Sequence, residues 1–217
     1  MLERFIQYVM TDDPGAETPA ATRERLKSRF APGSTRRMTL LGMLVGNVLG
    51  DLQLTEDDAV VYVSAFGEGR ALEDYLASFP SASPTLFQTS IHPSGVQQGL
   101  IGRQRSVREL FPHAGGGQLA VSGLVTALLA PGSRTVVVGG EERGTWLVDV
   151  NAVSDRTFAY ALALTRDPGA ETLGRLTLAN EPVAGALAHA AWFELLQRRE
   201  AFDGPVAEGW RLKVVWF

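Results

Sequence analysis

Residues 110–140 read LFPHAGGGQLAVSGLVTALLAPGSRTVVVGG, and this stretch decides how the rest of the chain is interpreted. It contains a glycine-rich turn, an apolar helix, a Pro-Gly turn and a buried strand. Because a helix without a polar face must be covered by other elements, the stretch predicts a central buried helix in a layered α/β domain. Free backbone N–H groups at the start of such a helix make that end a candidate position for chemistry.

The composition is that of an ordinary globular chain. It has 217 residues, 45% of them hydrophobic and 20% charged, which is enough for one large domain with a sizeable core. A net charge of −4 without a long basic run argues against a nucleic-acid partner. The chain has no cysteine, which excludes disulfides and thiolate catalysis. No run approaches the roughly 18 apolar residues of a membrane span. The first residues do not resemble a signal peptide, so we expect a cytoplasmic protein.

The order of predicted elements favours a mixed sheet with helices on both faces. Helices alternate with single strands early in the chain and strands cluster in the last third. Residues 1–10 fit either a helix or a strand, and we treat 1–33 as an N-terminal appendage to a single domain at 34–217. The predicted helices are 22–30, 34–52, 70–79, one from 93 onward, the central helix and 181–199; the predicted strands are 59–64, 104–110, 133–140, 145–150, 157–165, 172–178 and 210–217.

Common catalytic motifs are missing from the sequence. No glycine pattern of a phosphate-binding loop follows a strand in the required order. Ser122 lies in AVSGL, which lacks the outer glycines of a nucleophile elbow. The carboxylate pairs at 57–58 and 141–142 lie at turns next to predicted strands, so we interpret both as solvated surface charge. A catalytic role is disfavoured because carboxylate catalysis requires burial to tune the pKa.

The three histidines are the remaining candidates for chemistry. None of His92, His113 and His189 is followed by a metal-ligand partner three or four residues later, so we expect no metal and no cofactor. His189 shares a helical face with Phe193 and Leu196, which predicts a hydrogen-bonded histidine at the edge of the core. His92 and His113 flank the region before the central helix and are weak catalytic candidates, because no activated nucleophile accompanies them.

Several segments, taken in order, resemble the N-terminal half of the β-ketoacyl synthase branch of the thiolase fold. Each segment is short, and their common order carries the resemblance. It implies an α/β fold of the thiolase-like half, with a mixed β-sheet layered with helices around a buried central helix. The matching segments, within about residues 34–180, are RRM at 36–38 with the apolar helix after it, AVVYVSAFGEG at 59–69, SPTLFQTSIH at 83–92, VVVGGEE at 136–142 and TFAYALAL at 157–164.

The resemblance also implies where a nucleophile would stand. In this family a cysteine lies at the N-terminus of the central helix, where the helix dipole and backbone amides favour its thiolate. Alignment of the glycines places Ala114, or one residue later Gly115, at that degenerate position. The family's two catalytic histidines lie in the second half of the fold, which this chain is too short to contain. The resemblance therefore implies that the usual acyl transfer and decarboxylation are lost.

A catalytically silent accessory protein of polyketide or fatty-acid-type biosynthesis is the function that the resemblance implies. Such pseudoenzymes are similar to chain length factors or to short ketosynthase-like proteins of aryl-polyene pathways. The expected partner is a ketosynthase or a second copy of this chain, with an acyl carrier protein or acyl chain as a possible further ligand. The candidate acyl-binding residues are His113, Gly115, Gly116, Gly117 and Phe87.

The alternative hypothesis is an acyl hydrolase or acyl transferase. It would use His113 or His92 as the base for a nearby serine, and the candidate serines are Ser90, Ser94 and Ser122. Covalent acylation or release of a free acid from a thioester substrate separates this hypothesis from a silent protein.

Overall fold

The computed structural model describes residues 1–50 and 52–217. Within these residues the chain forms eight strands, seven α-helices and two short 3₁₀ helices, at Ser34–Arg37 and Leu147–Val150. The elements in chain order are β1 (Leu2–Asp12), α1 (Pro19–Lys27), α2 (Leu40–Val48), β2 (Ala59–Ser64), α3 (Gly69–Ala77), α4 (Pro84–Ser90), α5 (Ser94–Gly102), β3 (Glu109–Ala114), α6 (Leu119–Leu129), β4 (Arg134–Glu141), β5 (Phe158–Thr165), β6 (Gly174–Asn180), α7 (His189–Arg198), β7 (Phe202–Ala207) and β8 (Trp210–Trp216).

All eight strands belong to one mixed sheet, in the order β3-β2-β4-β5-β1-β6-β8-β7. Strand β2 pairs in parallel with β3 and β4, and every other pairing is antiparallel. One hydrophobic cluster packs α6 and α7 on one face of the sheet, and a second packs α1, α2 and α5 on the other. The predicted mixed α/β sheet with helices on both faces is therefore confirmed.

Strand β1 settles the secondary structure of the first residues. It pairs with β5 on one side and β6 on the other, so it lies in the interior of the sheet. Its Arg4 and Ile6 side chains are buried on the same face as α6. The division of the chain at residue 33 stays a prediction, although β1 itself is continuous with the sheet of the main domain.

Helix α2 is the most completely buried helix of the fold. Each of its nine residues is buried, and the Thr39 hydroxyl caps its N-terminus by accepting from the N–H of Gly42. Helix α6 also contributes most of its side chains to a core, but it covers one face of the sheet and leaves Leu129 62% exposed. The helix that is covered all round is thus α2, not α6 as its sequence predicted.

Two predicted helices are shorter than their apolar patterns suggested. The predicted helix 34–52 is a 3₁₀ turn followed by α2, because Met38 between them is extended; its predicted passage through Asp51 lies outside the described residues. The predicted helix 181–199 begins only at His189, since Gly185 has a φ of +135° that a helix cannot contain. A separate helix, α4, precedes the predicted helix from residue 93.

Three strand predictions were also wrong or incomplete. The predicted strand 104–110 is displaced: Gln104 has a φ of +53°, and β3 begins only at Glu109. The predicted strand 145–150 contains a 3₁₀ helix instead, because the Glu73 carboxylate accepts the N–H groups of Thr145 and Leu147 and bends the chain. Strand β7 was not predicted, since its sequence FDGPVA contains glycine and proline.

A close approach of α2 and α5 makes Gly99 sensitive to substitution. A Cβ atom there would lie 3.0 Å from the backbone nitrogen of Gly46, and a backbone cannot move aside as a side chain can. We expect Gly99→Val to lower the free energy of unfolding by about 1–3 kcal/mol, measured by urea denaturation. Gly117→Ala is the matched control, because a Cβ at Gly117 meets no atom within 4 Å and its stability is expected to change little.

Candidate functional site

A cavity of about 400 Å³ lies where the parallel strands β2 and β3 end. The register pairs Ser64 with Ala114, so the two chains leave the sheet at the same level. The turn after β2 forms one wall, and Ala114 and Gly115 form another, with His92 between them in the lining. The carboxyl ends of parallel strands are a common place for ligands, which makes this cavity the candidate site.

The turn from β3 to α6 carries the residues that the resemblance aligns with the nucleophile, and their role stays a prediction. Gly115 and Gly116 have φ values of +73° and +81°, and the N–H of Gly115 donates to the carbonyl of Ser64 at 3.1 Å. Helix α6 begins only at Leu119. Residues 114–117 read AGGG and therefore bring no thiol, hydroxyl or carboxylate to the cavity.

His92 is held by a carboxylate that the sequence did not single out. Glu68 is 5% exposed, and its two oxygens lie 3.0 Å from His92 Nδ1 and 2.8 Å from the N–H of Gly95. The His92 ring stacks on Tyr62 with centroids 5.0 Å apart, and burial followed by the charge of Glu68 raises the pKa of Tyr62. With Nδ1–H donating to Glu68, His92 Nε2 is left without a hydrogen-bond partner among the described residues.

His113 lies in strand β3 and points toward α6. Its Nε2 atom is 3.0 Å from the Thr126 hydroxyl, and burial, followed by the nearby His92, lowers the pKa of His113. The hydroxyls of Ser90 and Ser94 donate to backbone carbonyls of α4. Among the described residues, which are 1–50 and 52–217, no serine hydroxyl is hydrogen-bonded to His92 or His113.

Phe87, the other candidate acyl-binding residue, lies on an exposed face away from the cavity lining. It packs against Tyr75 with ring centroids 5.3 Å apart, where α3 and α4 meet. Thus the structure brings His92, Ala114 and Gly115 to one cavity, places His113 beside it on β3, and separates Phe87 from all four.

Glu141 is a buried group, which overturns its interpretation as solvated surface charge. It is 2% exposed, at the end of β4. Its carboxylate accepts the N–H of Ala65 at 2.5 Å and the hydroxyl of Ser64 at 3.1 Å, and it lies 2.7 Å from His189 Nδ1. His189 Nε2 in turn lies 3.0 Å from the Tyr160 hydroxyl. The network ties β4, β5 and α7 to the turn after β2, and confirms His189 as a hydrogen-bonded core histidine.

Glu142, the neighbour of Glu141, is partly buried as well. In the other carboxylate pair, only one of the two residues is a surface charge. Asp57 is exposed, whereas Asp58 is buried against Arg134 with a shortest ion-pair distance of 2.5 Å. Burial alone would raise the pKa of Asp58, but the hydrogen bonds from Arg134 and Thr55 outweigh it and hold that pKa below its usual value. Asp58 therefore fastens the start of β4 to the turn before β2 and lies outside the cavity.

Comparison with known proteins identifies the fold. No protein-family model matches the sequence, and a search of curated proteins finds no match. One solved structure that matches is the complex of the ketosynthase ApeO with its chain length factor ApeC from Xenorhabdus doucetiae, with a TM-score of 0.71, 19% identity and 99% of both chains covered. The ishigamide ketosynthase/chain length factor matches with a TM-score of 0.57 and 11% identity, over 83% of this chain and 68% of that one.

The predicted ketosynthase-like thiolase fold is thereby confirmed. In the first match the likeness extends over 99% of both chains, so it includes both the early and the late strands of the sheet. Within the described residues, none of the helices has the length and hydropathy of a membrane span, and no three His, Asp or Glu side chains are arranged to hold a metal ion.

Proposed function

We propose that the protein is a catalytically silent, ketosynthase-like accessory subunit that associates with a ketosynthase in polyketide or fatty-acid-type biosynthesis, aryl-polyene formation included. The observation that carries the proposal is the sequence AGGG at 114–117, which brings no nucleophilic side chain to the end of β3, where the resemblance implies one. The likeness to a chain in a complex of a ketosynthase with its chain length factor supports such a partner.

The chemistry available in the cavity supports binding in preference to acyl transfer. A covalent acyl intermediate needs a nucleophile within hydrogen-bond reach of a base. Ala114 and Gly115 offer none, and the Nε2 atom of His113 is already bonded to Thr126. The glycine turn leaves room for an acyl group to approach the backbone, since a Cβ at Gly116 or Gly117 would meet no atom within 4 Å.

The hydrolase or transferase alternative has one observation in its favour. Glu68 orients His92, and an oriented imidazole with a free Nε2 is the arrangement of a general base. Incubation with an octanoyl thioester, followed by mass spectrometry of the protein and of the small molecules, tests both readings. We expect no covalent adduct and no free acid above the buffer rate. Adduct or acid formed by the native protein and lost in His92→Ala or His113→Ala would establish the alternative.

The outer edge of β3 is the surface that we propose for the ketosynthase. It is an edge strand next to the cavity, paired only with β2 among the described strands, and open edges pair readily with another chain. Hydrogen–deuterium exchange with and without the ketosynthase tests this placement. We expect slower exchange at 109–114, while 202–207 in β7, the opposite edge, serves as an internal control. Protection confined to β7, or equal at both edges, would contradict it.

A homodimer and a carrier protein are the remaining partners. If the β3 edge pairs with a second copy instead, the same protection at 109–114 appears on raising the concentration of this protein alone. An acyl carrier protein would dock on the assembled pair.

A further inference from the structure

A second cavity, of about 390 Å³, lies near the amino end of β4, whereas the cavity of the glycine turn lies at the carboxyl ends of β2 and β3. It opens where α6 ends and the chain turns into β4. Its lining combines two arginines with three leucines, which are Arg4, Arg166, Leu2, Leu128 and Leu129. We call it the arginine–leucine cavity, and it shares no lining residue with the candidate site.

Arg4 is a buried arginine that the fold leaves partly unsatisfied. It is 4% exposed, and its Nη2 donates to the carbonyls of Leu128 at 2.9 Å and Ala130 at 3.3 Å. Its buried Nε has no hydrogen-bond partner in the part of the chain that the structure describes. Both of its hydrogen bonds come from Nη2, so capping the end of α6 accounts for one of the three guanidinium nitrogens.

Arg166 brings a second guanidinium group to the same carbonyl oxygen. Its Nη2 lies 3.5 Å from the oxygen of Ala130, and its Nε donates to the carbonyl of Gly132 at 3.1 Å. Because both arginines contact the oxygen of Ala130, two like charges are neighbours at the cavity. Burial, followed by repulsion from Arg166, lowers the pKa of Arg4. Across residues 1–50 and 52–217, neither arginine forms an ion pair with a carboxylate.

The nearby negative groups do not balance these two cations. The carboxylate residue of the lining is Glu3, but successive side chains of a strand point to opposite faces of the sheet. The Glu3 carboxylate accordingly lies 3.6 Å from Arg175, on the face away from Arg4. The carbonyl end of a helix carries a partial charge of about −0.5. Two guanidinium groups exceed this partial charge, so the cavity has a local excess of positive charge.

We propose that the arginine–leucine cavity binds a small monocarboxylic acid with an aliphatic tail. The carboxylate would lie between Arg4 and Arg166, because guanidinium groups match carboxylates in both charge and geometry. The tail would cover Leu129, which is 62% exposed, and so remove apolar surface from water. The volume lies in the range of small-molecule sites, about 300–1,000 Å³. The site does not depend on the proposed association with a ketosynthase.

Isothermal titration with hexanoate and hexanamide, which differ in charge but little in shape, tests the role of the two cations. We expect hexanoate to bind at least about tenfold more tightly at low ionic strength, with the difference shrinking as salt is added. Titration with acetate tests the role of the leucines. We expect acetate to bind at least about tenfold more weakly than hexanoate, because it is too short to cover Leu129.

The variant Arg166→Gln locates the binding site. Arg166 is exposed, so its replacement should leave the fold intact, which circular dichroism checks, whereas replacement of the buried Arg4 would disturb the end of α6. We expect Arg166→Gln to lose most of the preference for hexanoate over hexanamide. Arg105→Gln is the matched control: Arg105 is exposed and hydrogen-bonded to Gln53, outside the cavity lining, and its replacement should retain the preference.

Three results would overturn the proposed binding site: equal affinity for hexanoate and hexanamide, binding of neither compound, or a preference that survives in Arg166→Gln. An equal loss of preference in Arg166→Gln and Arg105→Gln would assign the effect to net charge and would also overturn it. Acetate or inorganic phosphate that binds as tightly as hexanoate would indicate an anion site without an aliphatic ligand, which contradicts the proposal.

Discussion

Replacing Glu141 by leucine is expected to lower the free energy of unfolding by about 3–5 kcal/mol. The substitution removes the acceptor that serves the N–H of Ala65, the hydroxyl of Ser64 and the Nδ1 of His189. The side chains of Ser64 and His189 are buried, so water cannot readily replace the lost acceptor for them. Urea denaturation followed by circular dichroism measures the loss.

Two further variants separate the network from a general effect of charge. Glu141→Gln keeps one carbonyl acceptor and should lose less stability than the leucine variant. Asp57→Leu removes an exposed carboxylate and should stay within about 0.5 kcal/mol of the native protein. If Glu141→Leu is as stable as Asp57→Leu, the hydrogen bonds of Glu141 do not stabilise the folded protein.

Truncating Leu44 to alanine is expected to destabilise the protein by about 2–5 kcal/mol, because the cavity left in a close-packed core cannot fill. Leu44 is 0% exposed in α2, which lies between the sheet and α5. Leu129→Ala in α6 is the matched control: the same atoms are removed from a side chain that is mostly exposed, so the loss should be below about 1 kcal/mol. The unfolding temperatures of both variants measure these losses, and Leu44→Ala should have the lower one.

A reversed order, with Leu129→Ala the more damaging variant, would mean that α6 and not α2 is the enclosed helix. The sequence favoured α6 because its apolar residues occupy every side. The structure shows why that pattern was insufficient: burial depends on which elements lie over a helix, and α5 covers α2 while no element covers Leu129.

Local sequence patterns predicted several helices and strands correctly. The strand Ala59–Ser64 was predicted with its observed bounds, and the succession of the central helix and β4 was also correct. The order of short family-like segments was sufficient to predict the ketosynthase-like fold, although the solved structures that share it are at most 19% identical among those compared.

The buried carboxylates of the site could not be predicted because their partners are distant in sequence. Glu141 is 77 residues from Ser64 and 48 from His189, and Glu68 is 24 residues from His92. A carboxylate beside a strand end looks solvated until the fold brings a donor to it. The one available signal was position: Glu68 follows β2 directly and Glu141 ends β4, at the carboxyl ends of parallel strands where sites form.

Native mass spectrometry of the protein mixed with a ketosynthase from its own source tests whether this chain is a silent partner subunit. We expect a complex that contains this chain and the ketosynthase, formed without any covalent acyl group on this chain. The contradicting result is that the two chains keep their separate masses at every concentration while this chain alone acquires an acyl group from a thioester.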